Sequence, residues 1–575
     1  MSLFGSIQMG ANTLQAMQIG LHVVGNNIAN ANTPGYIREE VVYSPAPVQE
    51  FGTLTLGLGV EIDGIVQQVD DFLTERLRGS ASDRASADVQ RDAFADLETL
   101  IGELSSTDLS TSLSNFFNSI DEVANGDGDT TSLRALAIGA GESLTADIRR
   151  LATRSNDVRN EFNTRIARSA DDINDLTEQI RALNLRIVNI EAGGASGSDA
   201  GGLRTERQNA LGALAELVDI RVTEQPSGAV NISVGGELIV FEGTRREVAI
   251  NTATDQNGNA TATLTLADNQ GVLETSGGEV HGLLAARDEI LGGFLTSLDE
   301  LTRLLAFEFN QLYSQGQGAV GFDSLTSTNA VTDPNAALDA AGLPYTPTQG
   351  SFQVLVYNPA ENTTKTHDIF IDLDGLDTDT TLTSLAADIN AIGGVSASVD
   401  STGRLTIQSD SADAQFSFAA DDANESGVLA ALGLNTFFTG SSALNIGVNS
   451  TLTASRSDAA RFAASLGGVG AESDSANSLR LAEFYTRPLE GNGGSSLATS
   501  YEQLINDITQ RATIANSIAD GFATFEATLQ GEAQAISGVN IDEEAIDMIT
   551  LQRTYQASAR YIQTISELLD VLVNL

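Results

Sequence analysis

The sequence predicts an α+β multidomain protein. Paired N- and C-terminal α-helices form a coiled coil, long helices form a bundle domain, and β-rich outer domains are inserted between them. Three observations lead there. Both ends of the 575-residue chain carry apolar repeats of seven, the mark of helices that pack along a seam. The stretches next inward keep helical periodicity. The middle changes to alternating apolar and polar residues cut by Gly-rich turns, the pattern of strands.

At the N-terminus, Leu3, Ile7, Gly10, Leu14, Met17, Leu21, Val24 and Ile28 recur at spacings of four and three. A helix over residues 1–30 would be about 45 Å long at the α-helical rise. At the C-terminus, Met548, Leu551, Tyr555, Ser558, Ile562, Ile565, Leu569 and Leu572 recur at three and four. Each stripe is narrow, and a lone helix of this kind is marginal in water. Each end therefore needs a partner, either the other end of the same chain or the same ends of neighbouring copies. Two helices docked separately on a globular body are the alternative; the matched length and phase favour pairing.

Further in, Tyr501 to Ile536 keeps heptad spacing through Leu504, Ile508, Ile518, Phe522, Phe525 and Leu529. Ile148 to Ile190 reads as a long helix that stops at the breaker Gly193–Ser198, and Leu283 to Tyr313 reads as a third. Val230–Val234 and Leu238–Phe241 flank Gly235-Gly236 and predict a hairpin. Alternating stretches follow at 248–251, 261–266, 352–357, 368–373, 395–399, 405–408 and 416–418. The expected division is residues 1–65 with 537–575 as a terminal coiled-coil axial domain. Residues 66–215, 280–320 and 450–536 form a helical domain, 216–279 a β-rich module, and 321–449 an inserted β-rich outer module.

Composition narrows the function. The formal net charge is -47, from 77 acidic and 30 basic residues, and Lys365 is the single lysine. Such a chain repels phosphate backbones and anionic lipid heads, which argues against nucleic acid and membrane partners. There is no Cys, so disulfides and thiolate metal sites are excluded. No run approaches the roughly 20 apolar residues of a membrane span. Residues 1–20 contain no Lys or Arg and lack the charged and apolar regions of a cleavable secretory signal. The expectation is a cytoplasmic chain or one exported by a route that reads no such signal.

Catalytic constellations are sparse. His22, His281 and His367 are the only histidines, and no zinc-protease, P-loop or nucleophile-elbow motif occurs. Catalytic, cofactor-binding and metal residues are all expected to be none. Two acidic turns have oxygen ligands of the kind calcium loops use. Asn125–Asp129 has alternating oxygen ligands, but Leu136 stands where a bidentate Glu is needed. Asp372, Asp374, Asp377 and Asp379 form the other. Solvated turns explain both.

The segment from Asn26 to Tyr36 carries more information. Asn26, Asn27, Asn30 and Asn32 crowd the end of a periodic helix, followed by Thr33, Pro34 and Gly35. Asn favours helix ends and turns, Pro34 pushes Thr33 toward an extended conformation, and Gly35 permits a tight turn. Asn26, Asn27, Ala29, Asn30, Thr33, Gly35 and Tyr36 together resemble the N-terminal signature of the flagellar rod, hook and hook-associated family. At the other end, Ser537, Gly538, Val539, Asn540, Ile541, Asp542, Glu543 and Glu544, then Tyr555, Gln556 and Ala557, are similar to the hook-associated members of the first type. Arg204, Glu206 and Arg207 within 203–217, Leu283, Leu284, Arg287 and Asp288 within 278–288, and Phe309–Tyr313 with Gly316 also fit that group. Gln208 replaces its usual acid. Residues 349–440 resemble small β insertions of flagellins and hook-associated proteins.

The resemblance implies a mechanical role at the bacterial hook-filament junction, as a ring adapting hook to filament. It implies export through the flagellar type III apparatus, an extracellular place in the flagellum, and no enzymatic activity or cofactor. Implied partners are further copies of the chain, hook protein, hook-associated protein 3 and through it the filament, and an export chaperone. The seam residues Leu3, Ile7, Leu14, Met17, Leu21, Val24 and Ile28, with Ile562, Ile565, Leu569 and Leu572, would form the assembly interface. A rod or hook subunit is the nearest rival, sharing 26–36 but not 537–544. A calcium-binding adhesin would need Gly/Asp nonapeptides, and an enzyme would need convergent His, Ser or carboxylate groups.

Overall fold

The computed structural model describes residues 3–51, 54–102, 108–126, 130–191, 197–255, 258–361, 363–376, 378–420, 425–471 and 474–573. The breaker residues 193–196 and the acidic-turn residues Asp127, Gly128, Asp129 and Asp377 lie outside them. The helices in chain order are α1 (Leu3–Asn30), α2 (Asp71–Gly102), α3 (Leu109–Asn125), α4 (Thr130–Ile190), α5 (Gly201–Leu217), α6 (Gly278–Ala285) and α7 (Gly292–Ser314). There follow α8 (Leu382–Asn390), α9 (Val428–Leu432), α10 (Ser450–Thr453), α11 (Ala476–Glu483), α12 (Leu497–Ser537) and α13 (Ile541–Val573). Small antiparallel sheets complete an α+β fold. No helix among the described residues is long and apolar enough to cross a membrane.

The chain forms two compact units. The first holds Met1–Ala93, Asn160–Asp288 and Thr513–Leu575; the second holds Phe94–Arg159 and Glu289–Ala512. The division expected from sequence is finer. Helices α2, α4 and α12 each supply residues to both units, so the expected helical domain is shared between them.

In the first unit, α1 runs antiparallel to α13. Gly10 meets Ile562, Gly20 meets Leu551, and Asn27 meets Glu544. After α1 the chain forms a hairpin, Glu39–Pro45 against Val60–Gln67, with a bulge between Val42 and Tyr43. The strands Ile220–Glu224, Val230–Val234, Glu237–Phe241 and Thr244–Arg245 make a four-stranded meander. Gly235 and Gly236 form its predicted turn with φ of 55° and 88°, the paired left-handed conformation of a tight hairpin turn. Strands Val248–Thr254 and Ala260–Leu266 pair beside it.

Helix α4 is fastened to these strands by three asparagines, Asn163, Asn174 and Asn184. Their spacings of eleven and ten residues are close to three helical turns, which puts them on one face. Each amide binds strand backbone in both directions. Asn163 donates to the Ala260 carbonyl (2.7 Å) and accepts from the Ala262 N–H (2.9 Å). Asn174 donates to and accepts from Val248 (2.7 and 2.9 Å), and Asn184 does the same with Val230 (2.8 and 3.1 Å). Each amide oxygen also accepts from an arginine: Arg287 at 3.0 Å, Arg245 at 3.2 Å and Arg207 at 3.1 Å respectively. The side chain thus replaces the neighbouring strand that a sheet edge lacks. Burial pushes the Arg207 guanidinium down to about 10, against the pull of Glu224.

The expected continuous helix at 283–313 is interrupted. Residues Ala286–Leu291 form a π-helical turn between α6 and α7. That turn carries Arg287, which is buried and also donates to the Ala262 carbonyl.

The second unit has an aromatic core. Phe116, Phe309, Phe437 and Phe438 pack with ring centroids 4.8–5.7 Å apart. Asn310, buried beside them, accepts from the Phe437 and Phe438 N–H groups and donates to the Phe438 carbonyl. A second core holds two three-stranded sheets. One orders Thr363–Ile371, Gly350–Asn358 and Gln415–Ala420; the other orders Ser324–Thr326, Leu405–Ser409 and Val395–Val399. Phe352, Phe416, Phe418, Leu385, Ile389 and Leu432 fill the space between them and α8 and α9.

Candidate assembly surface

The candidate site is the pairing of the two chain ends and the corner where they meet the rest of the first unit. Along α1 the buried positions are Gly10, Ala16, Met17, Gly20, Val23, Val24 and Asn27. A Cβ at Gly10 would come within 2.6 Å of Ile562 Cγ1, and one at Gly20 would strike Tyr43 Oη and come within 3.2 Å of Leu551. The glycines are holes that admit side chains of the facing elements. Of the expected N-terminal seam, Met17 and Val24 are buried, while Leu3, Ile7, Leu14, Leu21 and Ile28 are half-buried. The stripe is centred on small residues and Asn27, because a close helix pair needs hollows as well as knobs.

On α13, Glu544 and Ile565 are buried, and Met548, Leu551, Ser558, Ile562 and Leu569 are half-buried. These face α1 at the expected three-and-four spacing. Tyr555, Gln556, Ala557 and Leu572 are exposed. So are Ile546 (63%), Ile549 (50%), Leu568 (49%) and Val571 (59%). The helix has one apolar face against α1 and further apolar groups against nothing in this chain. Ile514, Ile518 and Phe525 of α12 and Phe4 of α1 are also exposed. Arg76 lies 5.8 Å and 5.7 Å from the ring centres of the exposed Phe72 and Phe525.

The signature residues build the corner. Asn27 donates to the Glu39 carbonyl (2.9 Å) and to Glu544 Oε2 (3.1 Å). It accepts from the Glu39 N–H (3.1 Å) and the Tyr36 hydroxyl (2.9 Å). Burial first, then Glu39 and Glu544, push the Tyr36 hydroxyl up to about 12, so it stays a donor. Arg38 Nε donates to Glu544 Oε1 at 2.7 Å, and its N–H donates to the Ser537 carbonyl at 2.9 Å. Asn30 bonds back to Asn26, and Thr33 closes a turn onto Asn30. Asn26, Asn30 and Tyr36 are half-buried; Ala29, Thr33 and Gly35 are exposed. Gly35 has φ 72°, and a Cβ there would strike the Asn209 amide. Gly538 needs its bare Cα for another reason: a Cβ would strike the Gln534 carbonyl at the end of α12. Asn540 then accepts from the Asp542 N–H (3.1 Å) at the start of α13, whose first turn holds Asp542, Glu543 and Glu544, a placement that suits the helix dipole. Ser537, Gly538 and Val539 are half-buried and Asn540 is exposed.

A groove of about 770 Å³ opens beside this corner, lined by residues 31–37, α2, α5, the end of α12 and residues 537–539. Arg38 and the three asparagines of α4 carry no local signal in the sequence, and Glu544 stands out there only as part of the 537–544 motif. Their partners lie far away in sequence, and only the recurrence of Asn at three-turn spacing could have pointed to the latter. Elsewhere, Asp372, Asp374 and Asp379 bring their carboxylates within 4.8 Å of one another. Asp374 and Asp379 accept from the Leu376 and Gly375 N–H groups, closing their own turn.

Known proteins match this architecture. The family described as flagella basal body rod protein matches residues 7–36, and flagellar basal body rod FlgEFG protein C-terminal matches 530–575. These are the two halves of the terminal pair, and both are similar to proteins of the flagellar rod and hook class. The family described as flagellar hook-associated protein FlgK helical domain matches residues 94–324. Flagellar hook-associated protein 1 of Escherichia coli (strain K12) is 24% identical over 594 residues, covering 100% of both chains. The protein of that name from Bacillus subtilis (strain 168) is 24% identical over 586 residues, covering 100% of this chain and 98% of its own. The solved structure of the flagellar hook junction protein FlgK from Burkholderia pseudomallei shares the fold with a TM-score of 0.50 and 14% identity, covering 80% of this chain and 100% of that one. Along its whole length the chain is thus similar to flagellar hook-associated protein 1.

Proposed function

We infer that this chain is a structural component of the bacterial flagellum at the hook-filament junction, where copies of it form a ring that adapts hook to filament. The observation that carries the reading is the terminal pair: α13 packs one face on α1 and leaves Ile546, Ile549, Leu568 and Val571 uncovered. Exposed apolar area of this kind marks an interaction surface. Neighbouring copies would cover it, with the seam residues of α1 and α13 holding each copy's own pair. Hook protein on one side and hook-associated protein 3 on the other are the proposed partners. An export chaperone would hold the uncovered helices before passage through the flagellar export apparatus. The role is mechanical, and the polar groups of the corner serve geometry rather than chemistry.

Electron microscopy of cells lacking the gene, with flagellin assayed in the medium, tests this. Hooks without filaments, and flagellin lost to the medium, are expected. Bodies without hooks would move the chain to the rod or hook, the second reading that its terminal matches permit. Normal motile filaments would overturn both.

A further inference from the structure

The face that α1 turns to α13 is rich in small groups, with Gly10, Ala16 and Gly20 among its buried positions. A seam of this kind resists lateral separation better than it resists sliding. Sliding α13 by one heptad keeps the same stripe inward. It would set Leu569 against Gly10 and Ser558 against Gly20, both residues that already lie on the inner stripe. Apolar packing therefore discriminates poorly between the native register and its neighbour. The polar groups discriminate well. In the slid register Leu551 would face Asn27, leaving its amide without Glu544, and Glu544 would pass beyond the end of α1. Asn27 and Glu544 are each 1% exposed; Asn27 would keep Glu39 and Tyr36, but Glu544 would lose both Asn27 and Arg38, a cost that a packed apolar pair does not carry.

We propose that Asn27, Glu544 and Arg38 form a register lock that fixes the alignment of the two terminal helices, so that each copy presents the same residues of α13 outward. Asn27 and Glu544 stand 517 positions apart in sequence and meet at 3.1 Å. Arg38 neutralises the carboxylate at 2.7 Å and hangs from the α12–α13 corner through its own N–H. The lock joins the N-terminal signature to the Ser537–Glu544 motif, and gives a shared reason for both. It uses an established device of helix pairs, a single buried polar contact that selects register at a cost in stability. It rests on the geometry of the pair rather than on its place in the flagellum, so the two readings fail separately.

The chain has no Cys of its own, which makes disulfide trapping specific. Full-length protein carrying Gly10→Cys with Ile562→Cys reports the native register; Gly10→Cys with Leu569→Cys reports the slid one. Dilute protein is oxidised with diamide, and the internally cross-linked monomer is quantified on non-reducing gels. In the native background the first pair should exceed the second by at least about tenfold, the factor expected from one buried unsatisfied polar group. Adding Asn27→Leu and Glu544→Leu should bring the two yields within about twofold, since the slid register then forfeits only the looser, exposed pairs of Arg38 with Glu543 and Asp547 at 3.7 and 3.6 Å, which are worth little. Asn27→Ala, which removes one partner only, should narrow the ratio partway and serves if the double variant does not fold. A ratio that stays unchanged in the leucine or alanine background overturns the proposal, as does a native chain with no preference between the pairs.

Discussion

The two helix faces of the first unit are built on opposite rules. Where α4 meets the β strands, polar links recur every three turns: Asn163, Asn174 and Asn184, each with strand backbone and an arginine. Where α1 meets α13, glycine hollows at Gly10 and Gly20 admit facing side chains and a buried polar cluster sits at one end. The first face is complete within one chain. The second leaves apolar groups of α13 uncovered. A face made of many directional bonds has one geometry and little tolerance, which suits a body that carries load. A face made of hollows with a terminal lock is finished by its neighbours, which suits an element that assembles. The contrast can be broken at either face.

The largest effect is expected at the terminal pair in assembly. Deleting residues 1–30 or 545–575 should abolish incorporation into flagella, read by immunoblot of sheared flagella, while the second unit keeps its cooperative thermal transition. Incorporation at the normal level would mean that the uncovered apolar groups of α13 are not the assembly element.

Stability should show the reverse order. Asn184 is fully buried and binds Val230 in both directions together with Arg207. Asn184→Leu strands two buried backbone groups and removes one bond of the buried Arg207, which keeps Gly228 and Glu224, so a loss of about 3 kcal/mol is expected from urea unfolding. Asn163 and Asn174 are half-buried, so water can replace part of what leucine removes, and about 1–2 kcal/mol is expected at each. Equal losses at all three would refute the view that burial grades the links. Gly10→Ala, by contrast, presses against Ile562 in a pair that can shift. A smaller loss of about 1 kcal/mol is expected, in the range for overpacking a yielding site.

Much of this was legible from residues alone because it rests on local rules. The heptads at 3–28 and 548–572 foretold helices at both ends, and Gly235-Gly236 foretold a turn that only two left-handed residues can make. The alternating stretches at 352–357, 395–399 and 416–418 lie in strands. The phase of the α1 stripe was less accessible. An apolar count favours Leu14 and Leu21, whereas the closest approach is at Gly10, Gly20 and Asn27, which only the facing side chains explain. The hairpin at 39–67 was not foreseen, and α2 was expected only as part of a helical domain over 66–215: it mixes small and charged residues with few apolar ones, so no stripe marks its own bounds. Asn163, Asn174 and Asn184 were invisible for a related reason, since Asn in a helix ordinarily weakens it and its value here depends on strands over 40 residues away.

The subtlest test of the polar rule is acid titration. Glu191, just past α4, accepts from Arg204 at 2.7 and 2.9 Å and from the Ala200 N–H at 2.8 Å. Burial alone would raise its carboxyl; the bonds to Arg204 and Ala200 outweigh that and hold it below the usual range. A folded value below the unfolded one contributes stability above the unfolded pKa, about 4.3 for Glu, and loses it as pH falls through the folded value. The native chain should therefore melt lower as pH drops below that point. Glu191→Gln keeps the shape but not the charge, so it should melt lower than the native chain at neutral pH and converge with it in acid. Two melting curves that stay parallel down to about pH 2.5, well below the ordinary Glu value, would mean that Glu191 holds the end of α4 through hydrogen bonds alone. The polar links of this unit would then be a matter of shape rather than of charge.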